Sequence, residues 1–362
     1  MLILSALDCI SPAIGRTKLV LFTPFRAGRT WKLAATSWLA GYGGVFLALY
    51  LLFLAGTPLL RKQPGASSVM ISGIVGVMVV LTLIYLAVFA LLSRLRFAAF
   101  DIVLNRGTHV APVWKKYAGP ALRWTLFKVL LGSGFTALAA LPTIHILHGI
   151  FANIGSFKGQ EPGAPPSPEM MQLIFSFYAA FFLVYLAVGL FYFVSSLLSD
   201  FVVPSLALED TSLAEAFRRV GVLLRNEPGQ VALYAVLKFA LFFVGAMAVG
   251  IVFYISLFVV VLVAVLVGGL IGLVLHLLHV PTAVLMALAG VFGVLIYLFF
   301  IFYAMGMATG VLFTCLESYT LYFLSGRYPM LGELLSVSTP PVEARDVLYP
   351  TPYPLYVPPP SN

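Results

Sequence analysis

Charge is what this sequence has least of. Only 9 % of its 362 residues are Asp, Glu, Lys or Arg, against 61 % hydrophobic. Soluble chains carry roughly a quarter charged residues, and a soluble core cannot absorb so much apolar surface. The long apolar runs also lack ionisable groups at their centres, since Asp101, Asp200 and Glu317 all stand near run ends. That argues against an ion-coupled carrier or a proton relay. The sequence carries no nucleotide-binding loop, which argues against a primary pump. Cysteine is scarce: Cys9 and Cys315 lie near opposite ends of the chain, on the same expected side of the membrane, and predict no structural disulfide. Met1 to Cys9 offers no basic run and too short an apolar stretch for a secretory signal, and Asp8 argues against lipoprotein processing, so the start is expected to be retained.

What is present is a series of uncharged runs long enough to cross a hydrocarbon slab, which takes about 20 helical residues. They fall near residues 35–56, 69–99, 121–150, 169–200, 231–256 and 283–316. The runs are continuously apolar, so they read as helices rather than as barrel strands, whose residues would alternate. Several exceed the required length and must tilt or extend beyond the bilayer. The expected fold is all-α, a polytopic membrane bundle of about six spans.

Every second run contains a similar phrase: Leu83-Ile84-Tyr85-Leu86, Leu183-Val184-Tyr185-Leu186 and Leu295-Ile296-Tyr297-Leu298. Fifteen or sixteen residues after each tyrosine comes a phenylalanine, at Phe100, Phe201 and Phe313. Ahead of the odd runs stand basic and aromatic residues: Arg29, Trp31 and Lys32, then Trp114, Lys115 and Lys116, then Phe217, Arg218 and Arg219. These matches predict three repeats of two long helices, near 25–105, 106–210 and 211–325, each led by a basic amphipathic segment. The expected division is a segment 1–34, a membrane domain 35–335 and a Pro/Tyr-rich tail 336–362.

The net charge of +8 sits between the apolar runs. It reads as topogenic charge, since no aromatic-basic module for nucleic acid accompanies it. Arg16, Lys18, Arg26, Arg29 and Lys32 precede the first run. Arg94, Arg96, Arg106, Lys115, Lys116 and Arg123 mark the second connection, and Arg218, Arg219 and Arg225 the fourth; the other side offers Arg61, Lys62 and Lys158. The positive-inside rule then places both termini in the cytoplasm of a cell whose inner membrane holds the protein. Leu257 to Val280 complicates the count. It either spans, giving seven helices and an outside C-terminus, or follows a long fifth helix as a short re-entrant helix broken at Gly268-Gly269. The repeat favours the second.

Ser212 and Glu215 have capping-box spacing. Leu213, Ala216, Phe217, Val220 and Leu224 then share one face, which predicts an interfacial amphipathic helix with Arg218 and Arg219 at lipid head groups. Lys115 and Lys116 are expected in the same role. The stretch Phe201 to Phe239, with its Pro204 exit, acidic turn at Glu209-Asp210 and Leu213-Ala214-Glu215-Ala216-Phe217-Arg218-Arg219 helix, resembles the membrane domain of the glycerophosphoryl diester phosphodiesterase family. In enzymes of that family the chemistry belongs to a separate soluble domain. The resemblance therefore implies a membrane helical part without catalysis.

Candidate chemistry is sparse. His145 with His148 and His276 with His279 are i, i+3 pairs at the outer ends of their runs, a spacing that suits a metal, haem or pigment ligand set as well as a pair of polar interface anchors. Ser133 in Leu131-Gly132-Ser133-Gly134 has no well-placed base for nucleophilic catalysis. Lys128 and Lys238 occupy equivalent places just inside their spans and are expected to snorkel to head groups. The pairs Gly268/Gly272 and Gly306/Gly310 suit close helix packing. The tail holds prolines at 340, 341, 350, 352, 354, 358, 359 and 360 among Tyr349, Tyr353 and Tyr356, and predicts an extended segment able to hold a partner. The sequence thus points to a protein without catalytic residues or a resident metal, interacting with membrane lipids. It reads as an accessory or scaffold subunit of a membrane complex, as a carrier for a lipid or other apolar substrate, or as a cofactor-binding subunit using the His pairs.

Overall fold

The computed structural model describes residues 4–41, 68–107, 110–153 and 167–337. Every regular element among them is an α-helix. In chain order these are α1 (Ile10–Phe22), α2 (27–41), α3 (Ser68–Asn105), α4 (Ala111–Lys116), α5 (Ala118–Asn153), α6 (Pro168–Glu209), α7 (Leu213–Asn226), α8 (Pro228–Leu277), α9 (Thr282–Ser325) and α10 (Pro329–Val337). A short helix followed by two long ones recurs as α4–α6 and α7–α9. The outer part of the first expected span, the loop after α5 and the Pro/Tyr tail with its partner reading lie outside the described residues.

Among the described residues, the long helices bury most of their side chains toward one end, with a smaller cluster of Phe89, Val188 and Phe191 above it. The main core gathers Phe97 to Leu104 of α3, Ala121 and Trp124 of α5, Val202 to Leu206 of α6, Val231 and Tyr234 of α8, and Tyr319 to Leu324 of α9. Thus α3, α6 and α9 run toward this base, while α5 and α8 leave it. α5 packs against α6, and α8 against α9, as antiparallel pairs. Away from the base the same helices turn apolar side chains outward, among them Phe182, Tyr254, Phe258, Met286 and Phe299. A surface of that size and composition belongs in lipid. Four stretches are long and apolar enough to cross a membrane: Val79–Asn105, Met170–Glu209, Pro228–Leu275 and Thr282–Ser325. At a rise of about 1.5 Å per residue, the 50 residues of α8 greatly exceed a hydrocarbon thickness of about 30 Å.

The region around Leu257 to Val280 corrects one expectation. α8 runs unbroken through Gly268-Gly269 to Leu277 and turns directly into α9. Two glycines cost a helix only about 1 kcal/mol each, too little to break one whose backbone polar groups would be left unpaired in lipid. The turn is closed by His279, whose φ of 59° is left-handed, and by Val280 N–H donating to Leu275 O at 3.2 Å. The end of α3 has the same form, with Arg106 at φ 56° and Gly107 N–H donating to Ile102 O at 3.1 Å.

The N-terminal residues are built into the base. Arg16 of α1 is buried and donates through Nε to Val103 O at 2.9 Å and through a terminal nitrogen to Leu104 O at 2.5 Å. It thereby satisfies carbonyls that the last turn of α3 leaves without helical partners. Thr30 of α2 does the same for α1, donating to Leu21 O at 2.7 Å. At the other end Arg327 lies over the Phe323 ring at 4.1 Å, pairs with Glu227 at 2.8 Å and donates to Leu4 O at 3.2 Å. One guanidinium thus fastens the α9–α10 corner to the start of α8 and to the N-terminus.

Cys9 tests this arrangement. It is fully buried, and that burial pushes its thiol up to about 11. In a Cys315→Ser protein, maleimide at pH 8 is expected to leave Cys9 unmodified in mild detergent and to modify it fully after unfolding in SDS. Rapid labelling of the native protein would show that α1 is not docked.

Candidate functional site

Five long helices bring charged side chains to one place at the upper edge of the base. Asp200 of α6 is fully buried and accepts from Arg96 of α3 at 2.9 Å, from Lys238 of α8 and from Tyr234 Oη of α8 at 2.8 Å. Arg96 also reaches Glu317 of α9 at 2.5 Å. Lys238 makes a second bond to Ser196 Oγ at 3.0 Å, and Tyr234 Oη lies within hydrogen-bond distance of Thr320 Oγ1 at 2.7 Å. Two cations and two carboxylates therefore close into one network, with an aromatic floor beneath it. Tyr234 stacks on Tyr319 at 5.2 Å and on Phe323 at 4.5 Å, and meets Phe201 at 5.4 Å.

Local sequence explains why these groups can point inward. Arg96, Asp200 and Glu317 each lie within four residues of the recurring Phe100, Phe201 or Phe313, on turns of helix that face the core. Pro204 of α6 has no N–H to donate to the carbonyl of Asp200, so that helix is weakest at its charged turn. Burying such groups singly would cost several kcal/mol per ion, and mutual pairing offsets most of it.

Above the network is a cavity of about 280 Å³. All of the long helices line it, α2 through Ala40 and Gly41. Arg96, Lys128, Lys238 and Glu317 form its polar end, joined by Ser195, Ser196 and Ser199; Phe193, Phe239, Phe242 and Phe313 form apolar walls. Gly189 of α6 and Phe239 of α8 line it too and are exposed, so it opens sideways between those helices. The Phe193 and Phe239 rings meet edge to face across this opening at 6.3 Å.

Neither Lys128 nor Lys238 reaches out to head groups as its place in the sequence suggests; both are buried. Lys238 is held inside the bundle by its ion pair with the buried Asp200. Lys128, at 7 % exposure, is buried beside the cavity with its ammonium 5.5 Å from the centre of the Trp124 ring. No carboxylate among the described residues pairs with it.

The other sequence candidates are spread apart. Ser212 caps α7, accepting from Glu215 N–H at 3.2 Å as the spacing predicts. The Glu215 carboxylate turns to Arg218 at 2.8 Å and Arg219 at 3.2 Å, and Arg219 also takes Glu209 at 2.7 Å. Those hydrogen bonds, from Arg218 and then Arg219, hold the Glu215 carboxyl below the ordinary carboxylate range. The two arginines thus face two carboxylates, although the Arg218 side chain remains 75 % exposed. Lys116 is 3.3 Å from Asp101 and 4.8 Å from the centre of the Tyr117 ring, and Lys115 is exposed. Among the histidines, only the side chain of His279 is described, and it is exposed in the α8–α9 turn. His145 and His148 lie on the last turns of α5, and His276 at the end of α8; their side chains are outside the described residues. Among the described residues no three His, Cys, Asp or Glu cluster as a metal site.

Long apolar helices around a buried charge centre define the class, an α-helical membrane protein. Within it the chain belongs to a family of unknown function, DUF7544, whose sequence profile matches residues 4–334. That match carries no link to the glycerophosphoryl diester phosphodiesterase membrane domain. No curated protein and no solved structure matches the chain.

Proposed function

We propose that this is a non-catalytic inner-membrane protein that holds a lipid-like, amphipathic molecule in the cavity between its long helices. The supporting observation is the cavity itself, polar and charged at one end, aromatic along its walls, and open between α6 and α8. Gly189 at the opening lies eleven residues before Asp200, about 16 Å along the helix, so the opening belongs to the apolar half. A molecule diffusing in the bilayer reaches it without entering water. The base would face the cytoplasm together with both termini, as the distribution of Arg and Lys favours. α7 would lie at the interface, and the three short–long–long units would descend from one duplicated ancestor.

A role as a subunit of a larger membrane assembly is the second reading. It is supported by the α8–α9 hairpin, whose apolar residues Phe258, Leu270, Met286 and Phe299 are exposed on several faces and would accept lipid or a partner's helices.

Gly189→Leu tests the first reading. A Cβ at Gly189 meets nothing within 4 Å, and leucine is favoured over glycine in a helix, so the variant should fold while obstructing the opening. Wild-type protein purified in mild detergent is expected to retain a tightly held lipid in native mass spectrometry, and Gly189→Leu to lose most of it. Equal retention by both proteins would remove the cavity as the binding site.

A further inference from the structure

The charges at the cavity do not balance. Asp200 and Glu317 are the two carboxylates; Asp200 is engaged by Arg96 and Lys238, and Glu317 by Arg96. Lys128 is the third cation. It is more than nine-tenths buried, lines the cavity, and has no carboxylate partner among the described residues. The Trp124 ring supports an ammonium through its π face but supplies no negative charge. An ammonium in such a place is unfavourable until an anion joins it. The space in front of Lys128 is where that anion can sit, with Ser195, Ser196 and Ser199 of α6 lining the same cavity. Its volume of about 280 Å³ lies just below the range of ligand pockets, about 300–1,000 Å³. An anionic head group fits inside, while acyl chains would leave through the opening between Gly189 and Phe239.

We infer that Lys128 selects an anionic amphiphile, a lipid carrying a phosphate or carboxylate, over zwitterionic lipid of the same chain length. This rests on the lipid-binding reading above and adds the charge that the ligand must carry. The shared chemistry is a single anionic oxygen group, which free phosphate also offers, and the chains distinguish the two sources.

The test uses the full-length protein in nanodiscs of equal palmitoyl-oleoyl phosphatidylglycerol and palmitoyl-oleoyl phosphatidylcholine, followed by native mass spectrometry of the released protein. Wild type is expected to retain phosphatidylglycerol roughly tenfold over phosphatidylcholine, the size of one charge-assisted contact. Lys128→Gln should abolish that preference while still retaining lipid. Lys128→Arg should keep it, and so should Lys18→Gln, which removes an exposed lysine of α1. A preference unchanged in Lys128→Gln, or absent from wild type that still holds lipid, overturns the inference and leaves the lipid-binding reading standing. Occupancy by inorganic phosphate to the exclusion of lipid overturns the amphiphile. If Lys128→Gln does not fold, competition on wild type decides: displacement of bound phosphatidylglycerol by oleate but not by phosphate supports the inference, and the reverse overturns it.

Discussion

Asp200→Ala is expected to lower the unfolding free energy by about 3–5 kcal/mol, because it leaves buried cations without their counter-charge. Asp200 is the junction of the network, meeting Arg96, Lys238 and Tyr234 from three directions. Without it, Lys238 keeps only Ser196, and Arg96 keeps Glu317. Thermal unfolding in dodecyl maltoside, followed by tryptophan fluorescence, should show a midpoint drop of roughly 6–10 °C at about 2 °C per kcal/mol. Adding Lys238→Ala should return part of the loss, since the double variant removes the stranded ammonium together with its partner. That non-additivity distinguishes a charge network from packing, for contacting groups couple and distant ones do not. A loss under 1 kcal/mol, or single effects that simply add, would mean that water already satisfies these groups.

The helical architecture was legible because its signals are local. Uninterrupted apolar runs can only be helices in lipid, and Ser212 with Glu215 marks the start of α7 to the residue. The charge centre was hidden because its members meet only after folding: Arg96 and Asp200 are 104 residues apart, and Lys238 and Asp200 are 38 apart. Read one at a time, each looked like an interfacial residue at a helix end. A signal did exist in the register of the lysines: Lys128 and Lys238 each follow a buried aromatic, Trp124 or Tyr234, by four residues. Arg96, Asp200 and Glu317 share no such register, standing four before, one before and four after the recurring phenylalanines. Length misled the reading of α8, since its surplus over one bilayer thickness suggested an extra helix where one helix continues unbroken to Leu277.

Gly310→Leu is expected to undo the crossing of α2 and α9 and to cost about 3 kcal/mol or more, the upper range for overpacking. A Cβ at Gly310 would stand 2.1 Å from the Ala34 carbonyl oxygen and 2.7 Å from its Cα. Both are backbone atoms, so no side-chain rotation relieves the clash, and one helix must move. α2 is tied to the end of α1 by Thr30 and to α9 by Ser37, which accepts from Thr314 Oγ1 at 2.9 Å. The displacement would therefore also break a buried hydrogen bond. Even Gly310→Ala should be clearly destabilising. Gly306→Ala, whose Cβ would come no closer than 3.4 Å to the Trp38 ring, should cost under about 1 kcal/mol, since it makes ordinary contact and improves helix propensity. Gly268→Ala should be neutral, for nothing lies within 4 Å of it. Ranking the three alanine variants by thermal unfolding in detergent checks the crossing directly, and a Gly310→Ala protein as stable as Gly268→Ala would show that α2 does not pack against α9 in the membrane.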